Sequence, residues 1–279
     1  MKPKPDSAAL YLDLMKKTLS YSLWKDPGLP IETFNYKRTF LKRIFVTFSA
    51  NLARLAGWQI VKNIVYDEKE KEQGLIWPLQ ADTMIGLRRL DNLQFCVQNV
   101  LNDHIDGDLI ETGVWRGGAC IFMRAILAAY GITDRRIFVA DSFEGLPEPD
   151  EQRYPQDKGD THFAERFLAV SQEEVEQNFR KYGLLDEQVV FLKGWFKDTL
   201  PKAPIEKLAV MRLDGDMYQS TMEALTYLYP KLSIGGYCII DDYALKGCKQ
   251  AVDEFRDQNG IAVSLGQIDW TGVYWRREQ

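Results

Sequence analysis

The chain has 279 residues, 46% hydrophobic and 27% charged, enough to bury a sizeable core in one large domain or in one domain with an extension. A net charge of -5 argues against a general nucleic-acid binder, whose phosphate contacts need a basic surface, and leaves small molecules as the expected partners. Cys96, Cys120, Cys238 and Cys248 have no CxxC spacing and read as reduced thiols of a cytoplasmic protein, while His104 and His162 lie in polar segments and suggest no Ser-His-Asp or Cys-His mechanism.

In chain order, the first residues contain no uninterrupted apolar run and no small-residue cleavage site, so no signal peptide is expected. Residues 1–74 read as a mostly helical extension for lid or oligomerisation duty, and 75–279 as the main domain. Within the extension, 37–63 carries Lys37, Arg38, Lys42, Arg43, Arg54 and Lys62, no acid, and an interleaved apolar set of Phe40, Leu41, Ile44, Phe45, Phe48, Leu52, Leu55 and Trp58. Such a two-faced helix packs on the main domain or on a second subunit, or lies on an anionic membrane surface. Asn51, Arg54 and Gln59 argue against a stable membrane span. The run 67–73 (DEKEKEQ) reads as a solvated hinge. Thr83 is placed to cap a helix whose stripe is Ile85, Leu87, Leu90, Leu93, Val97 and Val100.

The first strand of the main domain is expected at 108–112, followed by the glycine-rich turn Gly113-Val114-Trp115-Arg116-Gly117-Gly118 and a helix over 119–130. A strand, such a turn and a helix make a cradle for a nucleotide-like ligand, because glycine lets the backbone approach and the helix start offers free amides. The next strand, 136–140, ends on Asp141, where doubly wound folds hold a ribose diol, although Asp141 and Glu144 also have capping-box spacing. Residues 147–165 are polar and proline-bearing, and read as a mobile lid that is disordered without ligands. A helix at 173–182, a strand at 188–192 and a turn at Gly194-Trp195-Phe196 follow.

Two apolar runs, 208–213 and 237–240, then lead straight into carboxylates: Asp214 and Asp216 after the first, Asp241 and Asp242 after the second. Met222, Leu225, Leu228, Tyr229 and Leu232 between them have helical spacing, and Gly235-Gly236 reads as the turn back. A right-handed crossover brings both strand ends to one sheet edge, so four carboxyl groups share a crevice. Each pair alone also fits a turn or a helix cap. Together they call for a hard divalent cation, and oxygen-only ligation suits magnesium. A helix at 248–258 and two strands, 262–265 and 273–276, close the chain as a hairpin-like pair.

This layout, five parallel strands and then two consecutive ones, is that of a class I methyltransferase: an α/β, Rossmann-like, seven-stranded and mostly parallel sheet with helices on both faces. TMIGLRRLDNL (83–93), DLIETGVWRGGA (108–119), DSFEGLP (141–147), LDGDMYQST (213–221) and GGYCIIDDY (235–243) resemble the macrocin O-methyltransferase family over about 75–275. The resemblance implies S-adenosylmethionine and Mg2+ as cofactors, and methylation of a sugar hydroxyl on a glycosylated natural product. It also implies Asp214, Asp241 and Asp242 as metal ligands and Asp216 as general base. Cofactor contacts carried over from it are Met84, Glu111, Gly113, Asp141, Ser142, Gly194, Trp195, Phe196 and Asp214. A homodimer or higher homo-oligomer is expected. The same metal site would serve a catechol or another vicinal diol, and an α/β cradle of this kind also serves binding and oxidoreductase domains.

Overall fold

The computed structural model describes residues 6–26, 28–33, 39–63 and 65–279. The N-terminal part consists of α1 (Ser7–Leu19), β1 (Leu29–Pro30), α2 (Phe40–Leu55), β2 (Val61–Lys62) and α3 (Glu68–Glu72). The body follows as α4 (Leu87–Asn102), β3 (Asp108–Thr112), α5 (Gly118–Ala129), β4 (Ile137–Asp141), α6 (Gln172–Lys181), β5 (Val189–Lys193), α7 (Phe196–Thr199), β6 (Leu208–Leu213), α8 (Tyr218–Leu228), β7 (Leu232–Ile240), α9 (Lys246–Gln258), β8 (Gly266–Gln267) and β9 (Val273–Arg276).

Seven strands form one sheet in the order β5-β4-β3-β6-β7-β9-β8. The first five run parallel, and β9 is antiparallel to both of its neighbours. The central strands are apolar because both faces are covered. Leu109, Ile137, Val139 and Val210 point to the side of α1, α4, α5 and α6, whereas Ile110, Phe138, Ala140 and Met211 point to the side of α8 and α9. Strand order reverses between β3 and β6, which puts the turns after these two strands side by side at the carboxyl edge of the sheet, where open α/β folds bind ligands.

Several boundaries differ from the sequence reading. Gly235 and Gly236 lie inside β7, where the register slips between the Leu208↔Leu232 and Val210↔Tyr237 pairs. Gly235 has φ +85°, and a Cβ there would come 2.6 Å from Ile105, so the residues that resembled a turn form a bulge instead. The last pair of strands is antiparallel, but its first member is β8, beyond the expected 262–265. Gly86, not Thr83, is the N-cap residue of α4, and the buried Thr83 accepts from the Ile85 amide. No helix starts after Asp141, so Asp141 and Glu144 are not a capping box.

The extension is not one unit apart from the body. Leu12, Met15 and Leu19 of α1 are buried in the same core as α4 and α5, so α1 is part of the main domain's packing. The charged run 67–73 is helical: Asp67 caps α3, and Lys71 is buried against Asp26 at 3.2 Å and Glu68 at 2.8 Å rather than solvated. The expected helix over 37–63 is shorter, as α2, with Lys37 and Arg38 outside the described residues. Only Ala50 of α2 is buried, so packing on the chain's own main domain is not its arrangement.

Residues 147–165, expected to be disordered, are laid down as turns and 3-10 segments that include Pro155–Asp157 and His162–Ala164. The reason is Asp157. Helix α8 has Met217 at its N-cap with no side-chain cap of its own, and the buried Asp157 carboxylate fills that role, accepting from the Tyr218 amide at 2.6 Å and the Gln219 amide at 3.0 Å.

Candidate active site

The site grows from four strand ends. After β3, Gly113 turns at φ +80° so close to the turn after β6 that an added Cβ would lie 1.6 Å from the Asp214 carbonyl oxygen. No L side chain fits there. We expect Gly113→Ala to push the two turns apart and abolish cofactor binding, which isothermal titration with S-adenosylhomocysteine would check; retained affinity would show that the turns yield. After β4, Asp141 accepts from the amides of Val114 and Phe143, each at 2.7 Å, which fixes its carboxylate at the edge. Burial raises its pKa above the usual carboxylate value, and these amides oppose the rise. After β5, the Gly194 amide donates to the Asp141 carbonyl at 2.9 Å and holds the Trp195-Phe196 turn beside it. Trp115 and Phe143 have positive φ without being glycine, so backbone strain gathers at this edge.

These ends enclose a cavity of about 300 Å³. Met84, Gly113, Asp141, Ser142, Gly194, Trp195, Phe196, Asp214 and Asp216 line it, so nearly every residue expected to contact a cofactor meets in one place. Met84 arrives there because Gly118, at the start of α5, leaves room for the 82–83 backbone; a Cβ would sit 2.4 Å from the Asp82 carbonyl oxygen. Glu111 does not line the cavity. It is 2% exposed, pairs with Arg212 and accepts from the Cys120 thiol, so it lies behind the wall rather than in it. The sequence reading missed Trp115, Leu146 and Leu168 on the cavity wall. Trp115 carried one readable signal, an aromatic residue inside the glycine-rich turn; its indole N–H donates to the Phe167 carbonyl at 2.9 Å and ties that turn to the end of the flap formed by 147–165.

Beside the cavity, Asp214, Asp241 and Asp242 each offer an oxygen, and these oxygens all lie within 4.8 Å of one another. Beneath them runs a chain of alternating charges that the sequence reading did not find. Arg212, 1% exposed next to the last residue of β6, pairs with Glu111, Asp241 and, at 2.8 Å, Asp214. Arg89 of α4 pairs with Asp241 and, at 2.9 Å, with Asp269. Two guanidinium groups therefore hold Asp241 from both of its oxygens. Asp242 has a different environment. Its carboxylate accepts from the Asp216 amide at 3.1 Å, and withdrawal from water followed by the charges of Asp214, Asp216 and Asp241 drives its pKa well up. Burial first and a neighbouring carboxylate second raise Asp214 to about 6 and Asp216 to about 7. Three oxygen donors in reach of one another, one of them facing mainly other carboxylates, fit a hard divalent cation, which would supply the charge this floor lacks.

The seven-stranded sheet with its reversed strand order and a cavity at the carboxyl edge defines a class I methyltransferase. The macrocin-O-methyltransferase (TylF) family model matches residues 8–277, and the chain belongs to that family. The match includes α1 and α2, where the sequence reading had seen little resemblance. Demethyldecarbamoylnovobiocin O-methyltransferase of Streptomyces niveus is 48% identical over 97% of this chain and 94% of its own length. Mycinamicin III 3''-O-methyltransferase of Micromonospora griseorubida is 46% identical over 96% of each. The solved structure of the O-methyltransferase NovP superposes with a TM-score of 0.83 at 46% identity, covering 98% of this chain and all of the other. The protein is an O-methyltransferase of the class that uses S-adenosylmethionine. Among the described residues, no helix is long and apolar enough to cross a membrane.

Proposed function

We propose that the enzyme methylates a sugar hydroxyl of a glycosylated natural product, with Mg2+ held by Asp214, Asp241 and Asp242 and with Asp216 as the general base. The observation that carries this reading is the carboxylate floor: three oxygen donors within 4.8 Å, with Asp216 adjacent in the same turn as Asp214 and facing the cavity. The sugar as acceptor is supported by the name of a relative from Streptomyces olivaceus, 49% identical over 97% of this chain, 8-demethyl-8-(2,3-dimethoxy-alpha-L-rhamnosyl)-tetracenomycin-C 4'-O-methyltransferase, which carries a rhamnosyl group.

When bound, S-adenosylmethionine supplies an electrophilic methyl on a sulfonium, and Mg2+ a hard charge that favours the deprotonated form of a coordinated hydroxyl. The chain does the rest. Asp141, oriented by two amides, suits a ribose diol, and Ser142 and the Gly194-Trp195-Phe196 turn offer the walls for a base. Gly113 and Met84 also line the cavity, Gly113 directly beside Asp141. Asp216 accepts the proton that the acceptor hydroxyl loses. An Asp at φ +58° is tolerated where most residues would strain, and Asn tolerates it equally, so Asp216→Asn is a clean substitution.

That variant should keep its affinity for S-adenosylhomocysteine and Mg2+ while kcat falls by about 10² to 10⁴, the usual worth of a positioned base. Loss of metal affinity equal to that of Asp214→Asn would overturn the division of roles. The pH profile gives an independent check. Asp216 works only as a carboxylate, and burial raises its pKa to about 7, so kcat/KM should climb with pH along an acid limb and then level off. A divalent charge nearby favours the carboxylate, so raising Mg2+ should move that limb to lower pH. The acceptor itself is tested by assaying glycosylated aglycones beside a catechol panel. Turnover confined to catechols would replace the sugar acceptor with a vicinal aromatic diol, and binding of NAD in place of S-adenosylhomocysteine would overturn the cofactor reading.

A further inference from the structure

Trp270 stands at the tip of the loop between β8 and β9, at the carboxyl edge of the sheet, and this tip is mounted on the turn that holds Asp241. The buried Asp269 accepts from the amides of Thr271 at 3.0 Å and Gly272 at 2.8 Å, and pairs with Arg89 at 2.9 Å. Arg89 also holds the Asp241 carboxylate, while the buried Thr271 hydroxyl donates to the Asp241 carbonyl at 3.0 Å. An ion pair on one side and a hydrogen bond on the other therefore fix Trp270 relative to Asp241.

The indole itself is held at one edge only. Its N–H donates to the Gln73 carbonyl at 3.1 Å, and the residue stays 50% exposed. Among the described residues after 66, no other tryptophan is so exposed. A single apolar side chain at a surface needs no explanation, but a rigid mount shared with a proposed metal ligand does. A large ring fixed before binding loses little conformational freedom when a ligand covers it, and tryptophan is enriched where binding energy concentrates.

Position selects the occupant. Asp214 and Asp216 line the cofactor cavity, whereas Asp241 and residues 269–271 do not. The cofactor thus takes the Asp214 side of the carboxylate floor and leaves the Asp241 side, with its loop, to the acceptor. We infer that Trp270 is a specificity-determining residue whose indole receives the apolar body of the acceptor, the part that carries the reacting hydroxyl. The inference rests on the acceptor reading given above.

Methyl α-L-rhamnoside and 4-nitrophenyl α-L-rhamnoside present one sugar without and with an aromatic body, and their turnover by the full-length enzyme with S-adenosylmethionine and Mg2+ tests this. The wild type should favour the 4-nitrophenyl glycoside about tenfold in kcat/KM, the effect of one good aromatic contact. Trp270→Ala should bring that ratio close to one by raising KM for the 4-nitrophenyl glycoside. Trp270→Phe, which keeps a ring but loses the N–H on Gln73, should retain most of the preference. A wild type without the preference, or a Trp270→Ala enzyme that keeps it, would overturn the proposal. So would a Trp270→Phe enzyme as impaired as Trp270→Ala, with both melting below the wild type, because the residue would then act as a clamp on 73. Turnover of catechol and of neither glycoside would instead defeat the sugar acceptor, and the ratio between 4-phenylcatechol and catechol in the same two variants would then decide the role of Trp270.

Discussion

Asp214→Asn is expected to show no measurable Mg2+ binding by calorimetry and a fall in methyl transfer of about 10³-fold, with the fold intact. The amide keeps the shape of the carboxylate but removes one of the charges that hold the cation, and a hard divalent ion depends on that charge. Lewis-acid stabilisation by a bound metal contributes several kcal/mol, and about 4 kcal/mol corresponds to 10³ in rate. Asp241→Asn and Asp242→Asn should behave alike in activity but differ in stability. Asp241 is held by both Arg89 and Arg212, so neutralising it strands two guanidinium groups, whereas burial and three neighbouring carboxylates already favour the protonated, neutral form of Asp242, so an amide there strands no counter-charge. Thermal melting of the three variants without metal should therefore rank Asp242→Asn as the most stable. Full activity of the wild type in excess chelator would sink the metal requirement.

The largest loss of stability is expected for Arg212→Met. The side chain is 1% exposed and pairs with Glu111, Asp214 and Asp241, so its removal leaves buried carboxylates without their counter-charge. Breaking a buried pair in this way costs about 3–5 kcal/mol, enough to lower the melting temperature by about 10 °C in a chain of this size. The sign of its pH dependence can be stated beforehand. Burial already lifts Glu111 from 4.5 to about 7, and without Arg212 it rises further. An acid whose pKa is raised by folding contributes stability at low pH and loses it as pH climbs through the folded value. The deficit of Arg212→Met should thus shrink between pH 8 and pH 5, and Glu111→Gln should partly rescue it at pH 8. A variant as stable as the wild type at pH 8 would mean that the carboxylates find other partners or water.

Periodicity and punctuation carried most of the fold. The strands expected at 108–112 and 208–213 match β3 and β6 residue for residue, because a strand buried on both faces is a short apolar run that stops at a polar residue. Glycines were harder to read. Gly235 and Gly236 allow a bulge as readily as a turn, and only the paired strand decides between them. For the site, the acids at strand ends were legible while their supports were not. Arg212 stood in plain view as the one charge in LAVMRL, and an arginine inside a buried strand demands carboxylate partners. Arg89 and Asp269 had no such signal, since each looks like an ordinary surface charge until the fold brings 89, 241 and 269 together. Polar composition misled for 147–165, where one Asp that finds two backbone amides outweighs many side chains that find only water.

That Asp divides the flap in two. Asp157 is wedged against the start of α8, which follows the Asp214 turn, and so near Gly247 of α9, which follows the Asp242 turn, that a Cβ on that glycine would lie 2.9 Å from its oxygen. A cover pegged at its middle does not swing as one leaf. The span before the peg brings Leu146, Pro147 and Glu148 to the cavity, and the span after it leads through Asp160 and His162 back to Leu168, beside the point where a Cβ on Gly145 would lie 3.4 Å from Ala169. The peg therefore stands on the two helices that begin where the turns of Asp214 and Asp242 end, so a shift of either turn is passed directly to the cover.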